Sequence, residues 1–226
     1  MSARALFVTG TDTGVGKTYA SVALLRALRR HGERAVGMKP VASGCRETAQ
    51  GLRNDDADAL IAASDPAPPY ASCNPYALAP PIAPHIAARE AGIEIALDRI
   101  IAAYRELAAM ADRVVVEGVG GWAVPLSDAL MQADLVRALD LPVVLVVGLR
   151  LGCISHALLS ARAIRADGCV LAGWIANRVD PDMARADENL AALRARIDAP
   201  LLGVLAHASE PNDADIEALA GAARVL

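Results

Sequence analysis

Residues 8–18 read Val-Thr-Gly-Thr-Asp-Thr-Gly-Val-Gly-Lys-Thr, the residue types that a polyphosphate needs. Glycines let backbone amides turn toward an anion, Lys17 can reach the β- and γ-phosphates of a nucleotide, and the Thr18 hydroxyl can hold Mg²⁺. An apolar strand pattern ends at Thr9 and helical periodicity begins at Lys17, so the helix N-terminus adds its dipole to the cradle. A purely structural glycine turn is the alternative, but the strand-to-helix placement is the context that the motif requires. The spacing is unusual: five residues separate Gly10 from Gly16, where the common motif has four. In the deviant cradle of partitioning-type and nitrogenase-iron-protein-type ATPases, a signature lysine and the first glycine would fall at Asp12 and Thr13, and this chain has neither.

Four further places carry candidate chemistry. Lys39, in Gly-Met-Lys-Pro-Val-Ala-Ser-Gly (37–44), follows the second apolar run. Open parallel sheets bind ligands at that carboxyl edge, so Lys39 can neutralise a transferring phosphoryl group or simply be a solvated surface lysine. Asp55, Asp56 and Asp58 open a helix, where carboxylates are equally at home as caps. Glu117, in Val-Val-Val-Glu-Gly-Val-Gly-Gly-Trp (114–122), closes a third apolar run beside flexible glycines. It can share Mg²⁺ with Thr18, or be an incidental acid at a strand exit. Asn177 ends another run and can pair with an adenine edge or serve as a plain loop residue. The four histidines show no metal-ligand spacing.

Positioning these groups requires a sheet. Continuous apolar runs at 5–10, 34–40, 113–118, 141–148, 171–177 and 200–205 predict strands buried on both faces. Amphipathic stretches at 17–31, 93–111, 154–167 and 183–197 predict crossover helices, and residues 211–226 predict a closing helix behind an Asn/Asp cap signal. The expectation is an α/β fold, a single-domain P-loop NTPase-like three-layer sandwich over residues 1–226 with a mostly parallel central sheet. Residues 64–85 are too proline-dense for regular structure and predict a long surface connection or an interface segment.

Composition excludes several classes. The net charge of −4 lacks the basic excess of a general nucleic-acid binder, so nucleic acid is not an expected partner. No apolar run reaches the roughly 18 residues that cross a bilayer, which leads us to expect a soluble, cytoplasmic protein without a membrane partner. Four scattered cysteines form neither a disulfide frame nor a zinc motif.

Taken in order, Val-Thr-Gly-Thr-Asp-Thr-Gly-Val-Gly-Lys-Thr, Lys-Pro-Val-Ala-Ser-Gly, Gly-Leu-Arg-Asn-Asp-Asp-Ala-Asp-Ala-Leu, Val-Glu-Gly-Val-Gly-Gly-Trp-Ala-Val-Pro-Leu-Ser-Asp, residues 141–159, Leu-Ala-Gly-Trp-Ile-Ala-Asn and Ala-Pro-Leu-Leu-Gly resemble the dethiobiotin synthetase family, from residue 8 to residue 203. The resemblance implies an ATP- and Mg²⁺-dependent ligase of biotin synthesis, in which 7,8-diaminopelargonic acid takes up CO2 as a carbamate, ATP phosphorylates it, and the second amine closes a cyclic urea. It implies Lys17 and Lys39 as the catalytic pair, and Thr18, Asp56 and Glu117 on the metal. ATP would be held by Thr13, Gly14, Val15, Gly16, Lys17 and Thr18, by Gly118, Val119 and Gly120, and at its base by Asn177, Arg178, Ala206, His207 and Ala208. The diamine would meet Thr13, Lys39, Ser43 and Gly121. Its carboxylate would meet Leu151, Gly152, Cys153 and Ser155 across a homodimer interface, at a helix start suited to an anion. Three positions depart from the family: Gly14 replaces a Glu, Asn189 stands where members can present Tyr, and Ala206-His207-Ala208 replaces a Pro-Trp-Leu-type loop. Other readings of the same residues are a partitioning-type dimeric ATPase switch, an amidating synthetase working through an acyl phosphate, and a non-catalytic nucleotide-binding module.

Overall fold

The apolar runs that lack polar alternation become the strands of one sheet, because only a layer covered on both faces buries them completely. The computed structural model describes residues 4–225, with side chains to residue 222, so the expected unit 1–226 is described over that span. In chain order the elements begin β1 (Arg4–Gly10), α1 (Lys17–Arg30), β2 (Ala35–Met38), β3 (Val41–Ser43), β4 (Arg46–Thr48), β5 (Gly51–Arg53) and α2 (Asp55–Ala63). They continue α3 (Tyr70–Cys73), β6 (Tyr76–Leu78), α4 (Pro84–Glu90), α5 (Leu97–Met110), β7 (Arg113–Glu117) and α6 (Gln132–Ala138). The remainder is β8 (Val143–Gly148), α7 (Cys153–Ala166), β9 (Leu171–Asn177), α8 (Ala186–Arg194), β10 (Leu201–Leu205) and α9 (Asp213–Val225).

Six strands form the central sheet in the order β10-β9-β8-β1-β7-β2, and every pairing is parallel. Helices cover both faces. Leu24, Leu60 and Leu219 of α1, α2 and α9 pack in one buried cluster, while Ile100, Leu135 and Ile164 of α5, α6 and α7 pack in the other. Three layers result, as the alternation of runs predicts. No helix among the described residues is long and apolar enough to cross a membrane. The four cysteines are free and buried.

Register delivers the chemistry. Val8 lies beside Glu117, Met38 beside Val116, and Asn177 beside both Gly148 and Leu205. The strand ends carrying the phosphate cradle, Lys39, Glu117 and Asn177 therefore share one edge, the carboxyl edge where open α/β sheets hold ligands.

The proline-dense segment corrects an expectation. Residues 64–85 are not merely a surface connection, since they contain α3 and β6, and β6 pairs in parallel with β3. Ser72, Cys73, Asn74, Tyr76 and Leu78 are buried there. The prolines sit before and between these short elements, where a missing N–H costs no ladder bond. Helix α5 starts at Leu97 rather than 93 and α8 spans 186–194 rather than 183–197; in α5, the amide of Ala96 donates to the Tyr76 hydroxyl (2.9 Å) instead of beginning a helical turn.

Close packing around β2 gives a first test. A Cβ on Gly37 would lie 2.7 Å from Leu60 Cβ and 3.1 Å from Leu25 Cδ1. Gly37→Ala is expected to destabilise the protein by about 1–3 kcal/mol through overpacking, read as a lower urea midpoint; an unchanged midpoint would contradict the packing of α2 on β2.

Candidate functional site

The cradle between β1 and α1 turns on two left-handed glycines, Gly14 (φ 73°) and Gly16 (φ 84°). Gly16 must also be small, because a Cβ there would fall 2.0 Å from the Asn177 side-chain nitrogen. The Val15 side chain is buried and packs on Gly148, so only its backbone is available to an anion. Lys17 is buried and donates to the Asp12 carbonyl (3.2 Å). Burial, reinforced by the nearby charge of Lys39 and only partly offset by Glu117, Asp56 and Asp12, lowers its pKa to about 8. Asp12 accepts from the Thr13 amide (2.7 Å) and from Arg150 (2.6 Å), which ties the cradle to the chain leaving β8.

Facing the cradle is a chain of charges. Lys39, 3% exposed, places its ammonium 2.7 Å from Glu117 Oε1, 2.8 Å from Asp56 Oδ2 and 3.1 Å from the Gly118 carbonyl. Burial works against that charge, but Glu117 and Asp56 outweigh it and hold the Lys39 pKa above its ordinary value. Burial likewise works to raise the Asp56 carboxyl, yet Lys39, with Thr18 and Lys17, keeps it below the ordinary carboxylate value. Lys39 is thus not a solvated surface lysine. Of the three aspartates, Asp55 and Asp58 pair with Arg46, Asp58 also with Arg53, and only Asp56 turns to the site; the helix cap is Asn54, which accepts from the Ala57 amide (3.2 Å).

Thr18 Oγ1 donates to Glu117 Oε1 (2.8 Å), while Glu117 Oε2 is buried without a hydrogen-bond partner among the described residues. A hydroxyl and two carboxylates, one with an orphaned oxygen, make an all-oxygen donor set. That set fits Mg²⁺, which is commonly held by one or two carboxylates plus substrate phosphates.

Apart from the fully buried Glu117, these groups line a cleft of about 780 Å³. Thr13, Gly14, Gly16, Lys17 and Thr18 form one wall, Lys39, Ser43 and Asp56 a second, and Val119, Gly120 and Gly121 a third. Ser43 Oγ is buried without a hydrogen-bond partner among the described residues, so it is able to bond a polar group of a ligand. Residues 81–84 with Val124 and Pro125 add an apolar rim.

Two supporting amides were not legible from local pattern. Gln132, buried at the start of α6, accepts from the Val119 amide (2.8 Å) and donates to the Gly121 carbonyl (2.8 Å), clamping the glycine loop. A Cβ on Gly118 would strike Gln132 Oε1 at 2.6 Å. Asn74 donates to the Lys39 carbonyl (2.6 Å), and the Lys39 amide donates to the Cys73 carbonyl (2.7 Å), so the proline-dense segment fixes the lysine's backbone.

The remaining predicted residues lie further out. Asn177 is buried and donates to the Val15 carbonyl (3.0 Å), bracing the cradle from beneath. Arg178 pairs with Asp187 (2.7 Å), and its carbonyl lies 3.0 Å from His207 Nδ1, which brings it beside the exposed 206–208 loop. Leu151, Gly152 and Ser155 are exposed and do not line the cleft. Cys153 is buried, and its amide donates to the Arg150 carbonyl (3.0 Å).

Comparison with known proteins adds independent findings. Residues 4–213 match a family described as an AAA domain. The chain is 63% identical over 199 residues to the ATP-dependent dethiobiotin synthetase BioD of Xanthomonas euvesicatoria, covering 88% of this chain and 89% of that one. It is 61% identical to the protein of the same name from Xylella fastidiosa, with 92% of each covered, and 59% identical to that of Aromatoleum aromaticum, with 95% and 96% covered. Among solved structures it resembles the MinC:MinD cell division protein complex of Aquifex aeolicus (TM-score 0.58, 14% identity, 98% of this chain and 95% of that one). It also resembles the septum site-determining protein MinD with Mg-ADP from Pyrococcus horikoshii (TM-score 0.54, 15% identity, 96% and 86%). At such identity the likeness is one of fold, a P-loop sheet with helices on both faces.

The depressed Lys17 pKa yields a pH prediction. An ammonium titrating near 8 in the free protein is increasingly neutral above that pH, so an incoming triphosphate must pull a proton onto it. ATP binding is expected to take up a proton between pH 8 and 9, and kcat/KM for ATP to fall as pH rises through about 8. Calorimetry in buffers of different ionisation enthalpy measures the uptake; none at pH 8.5 would contradict the assignment.

Proposed function

The chain belongs to the ATP-dependent dethiobiotin synthetases, and we propose that its cleft closes the cyclic urea of dethiobiotin from 7,8-diaminopelargonic acid, CO2 and ATP. The observation that carries this reading is the chain of contacts in which buried Lys39 and Glu117 join half-buried Asp56 to Thr18 of the cradle. A carbamate is a poor nucleophile beside a polyanionic phosphate, so the site must screen repulsion before transfer can occur. That both Lys17 and Lys39 line one cleft supports this reading.

Each step has residues to serve it. One amine of the diamine adds to CO2 and loses a proton, giving a carbamate seated between Thr13, Ser43, Lys39 and the Gly118–Gly121 loop. The carbamate oxygen attacks the γ-phosphorus and the bond to the β-phosphate oxygen breaks, releasing ADP. Lys17 and Lys39 balance the charge spread over the transferring group. Thr18, Asp56 and Glu117 would hold Mg²⁺, which would neutralise phosphate oxygens there. The second amine then attacks the carbonyl carbon, phosphate leaves with the former carbamate oxygen, and the cyclic urea closes. Both amines belong to one bound molecule, so holding the second amine beside the mixed anhydride makes this closure unimolecular.

The base is assigned to Asn177, Arg178 and residues 206–208. The substrate carboxylate is assigned to the start of α7 in a second copy of the chain. The exposure of Leu151 (93%) beside a helix N-terminus that lies off its own cleft supports that homodimer. The protein works in the cytoplasm on small molecules, with neither nucleic acid nor membrane as a partner. The MinD cell division proteins share the fold, but Asp12 stands where a partitioning-type cradle carries its signature lysine, which disfavours a switch function.

With ATP, Mg²⁺, bicarbonate and 7,8-diaminopelargonic acid, the expected yield is one cyclic urea per ADP, read by product mass. ATP turnover that ignores the diamine would favour the switch instead. Lys39→Gln is expected to bind ATP normally and lose at least ~10²-fold in turnover, the scale of removing an electrostatic stabiliser; near-normal turnover would remove Lys39 from the chemistry.

A further inference from the structure

We infer that Asp215 is a positioning residue that sets where the base end of the nucleotide site stands relative to its phosphate end. The inference rests on the proposed reading of residues 206–208 as the base loop. Asp215 lies in the first turn of α9 and is 2% exposed. Its Oδ1 accepts from the Ala206 amide (2.8 Å), and its Oδ2 accepts from the Tyr19 hydroxyl (2.5 Å) and the Asn212 amide (3.1 Å). Asn212 returns the contact, accepting from the Asp215 amide (3.0 Å).

The reciprocal Asn212–Asp215 pair is a capping box, which many helices carry for their own stability. A cap needs neither of the other two bonds. Ala206 is the first residue after β10 and opens the 206–208 loop, while Tyr19 stands two residues after Lys17 on the helix that the cradle caps. One buried carboxylate therefore links the helix bearing Lys17 and Thr18 to the segment bearing the base contacts. Burial and the Asp215 bond both raise the Tyr19 pKa, so the phenol keeps the proton it donates. A carboxylate accepting three donors in a buried place has a narrow choice of positions, and the Ala206 amide must follow it.

Three variants separate this role from capping. Tyr19→Phe removes the link to α1 and leaves the cap intact. Asp215→Asn turns an acceptor into a donor facing one of the N–H or O–H groups. Asn212→Ala weakens the cap alone. The readouts are calorimetric affinity for ADP and for inorganic tripolyphosphate, which has no base, together with KM for ATP, KM for the diamine and the melting temperature. Tyr19→Phe and Asp215→Asn are expected to weaken ADP and raise KM for ATP by about fivefold or more, the scale of one hydrogen bond's net contribution. Tripolyphosphate affinity and KM for the diamine should stay within twofold. Asn212→Ala should lower the melting temperature without changing the ratio of ADP to tripolyphosphate affinity. Unchanged ADP affinity in folded Tyr19→Phe overturns the inference, as does equal weakening of ADP and tripolyphosphate. Should Asp215→Asn fail to fold, Tyr19→Phe decides. If replacing His207 and its neighbours by glycine leaves ADP binding intact in the wild-type background, the base-loop reading fails instead, a result distinct from failure of the Asp215 link.

Discussion

A lysine held out of water between two carboxylates is the constraint on which the rest of the molecule turns. An ammonium stripped of solvent costs several kcal/mol unless its partners are close and well aligned. Lys39 has Glu117 at 2.7 Å and Asp56 at 2.8 Å. These partners come from different parts of the chain, and only the parallel register that sets Met38 beside Val116 brings the ends of β2 and β7 together. The sheet is therefore more than a scaffold for a loop, since its pairing order decides which charges meet. Nucleotide and metal would join an electrostatic arrangement already assembled, which is what preorganised stabilisation of phosphoryl transfer requires.

Around that centre the structure spends buried amides and missing side chains on holding backbone still. Asn74 fixes the Lys39 carbonyl, Gln132 clamps both ends of the Val119–Gly121 turn, and Asn177 props the cradle through Val15. Glycine serves the same purpose by absence. At Gly16 and Gly118 an added Cβ would meet Asn177 or Gln132 at a distance that no side chain tolerates. A site with such supports holds its geometry to the fraction of an ångström that catalysis demands.

What was legible in the sequence follows from how local each signal is. The cradle, its strand and its helix are contiguous, so residues 8–18 announced their arrangement. The six sheet strands were readable because each is a continuous apolar run. Their order was not, because it is set by pairings between distant segments. Among Asp55, Asp56 and Asp58, the choice of Asp56 depends on Arg46 and Arg53 drawing Asp58 away and on Arg46 engaging Asp55, contacts that no spacing reveals. The proline-dense stretch hid α3 and β6 because propensity argues against regular structure there, and tertiary pairing with β3 overrode it. Gln132 carries no motif and Asp215 shows in sequence only as part of a helix cap, so their bonds to Gly121 and Ala206 become visible only when acceptors and donors are placed in space.

The central claim is that the charge cluster around buried Lys39 serves transfer of phosphorus to a carbamate oxygen, and the fate of that oxygen tests it most directly. With ¹⁸O-labelled bicarbonate in a single turnover, before the label washes into water, the liberated phosphate is expected to carry one ¹⁸O per dethiobiotin formed. Cyclic urea appearing alongside wholly unlabelled phosphate would contradict the account.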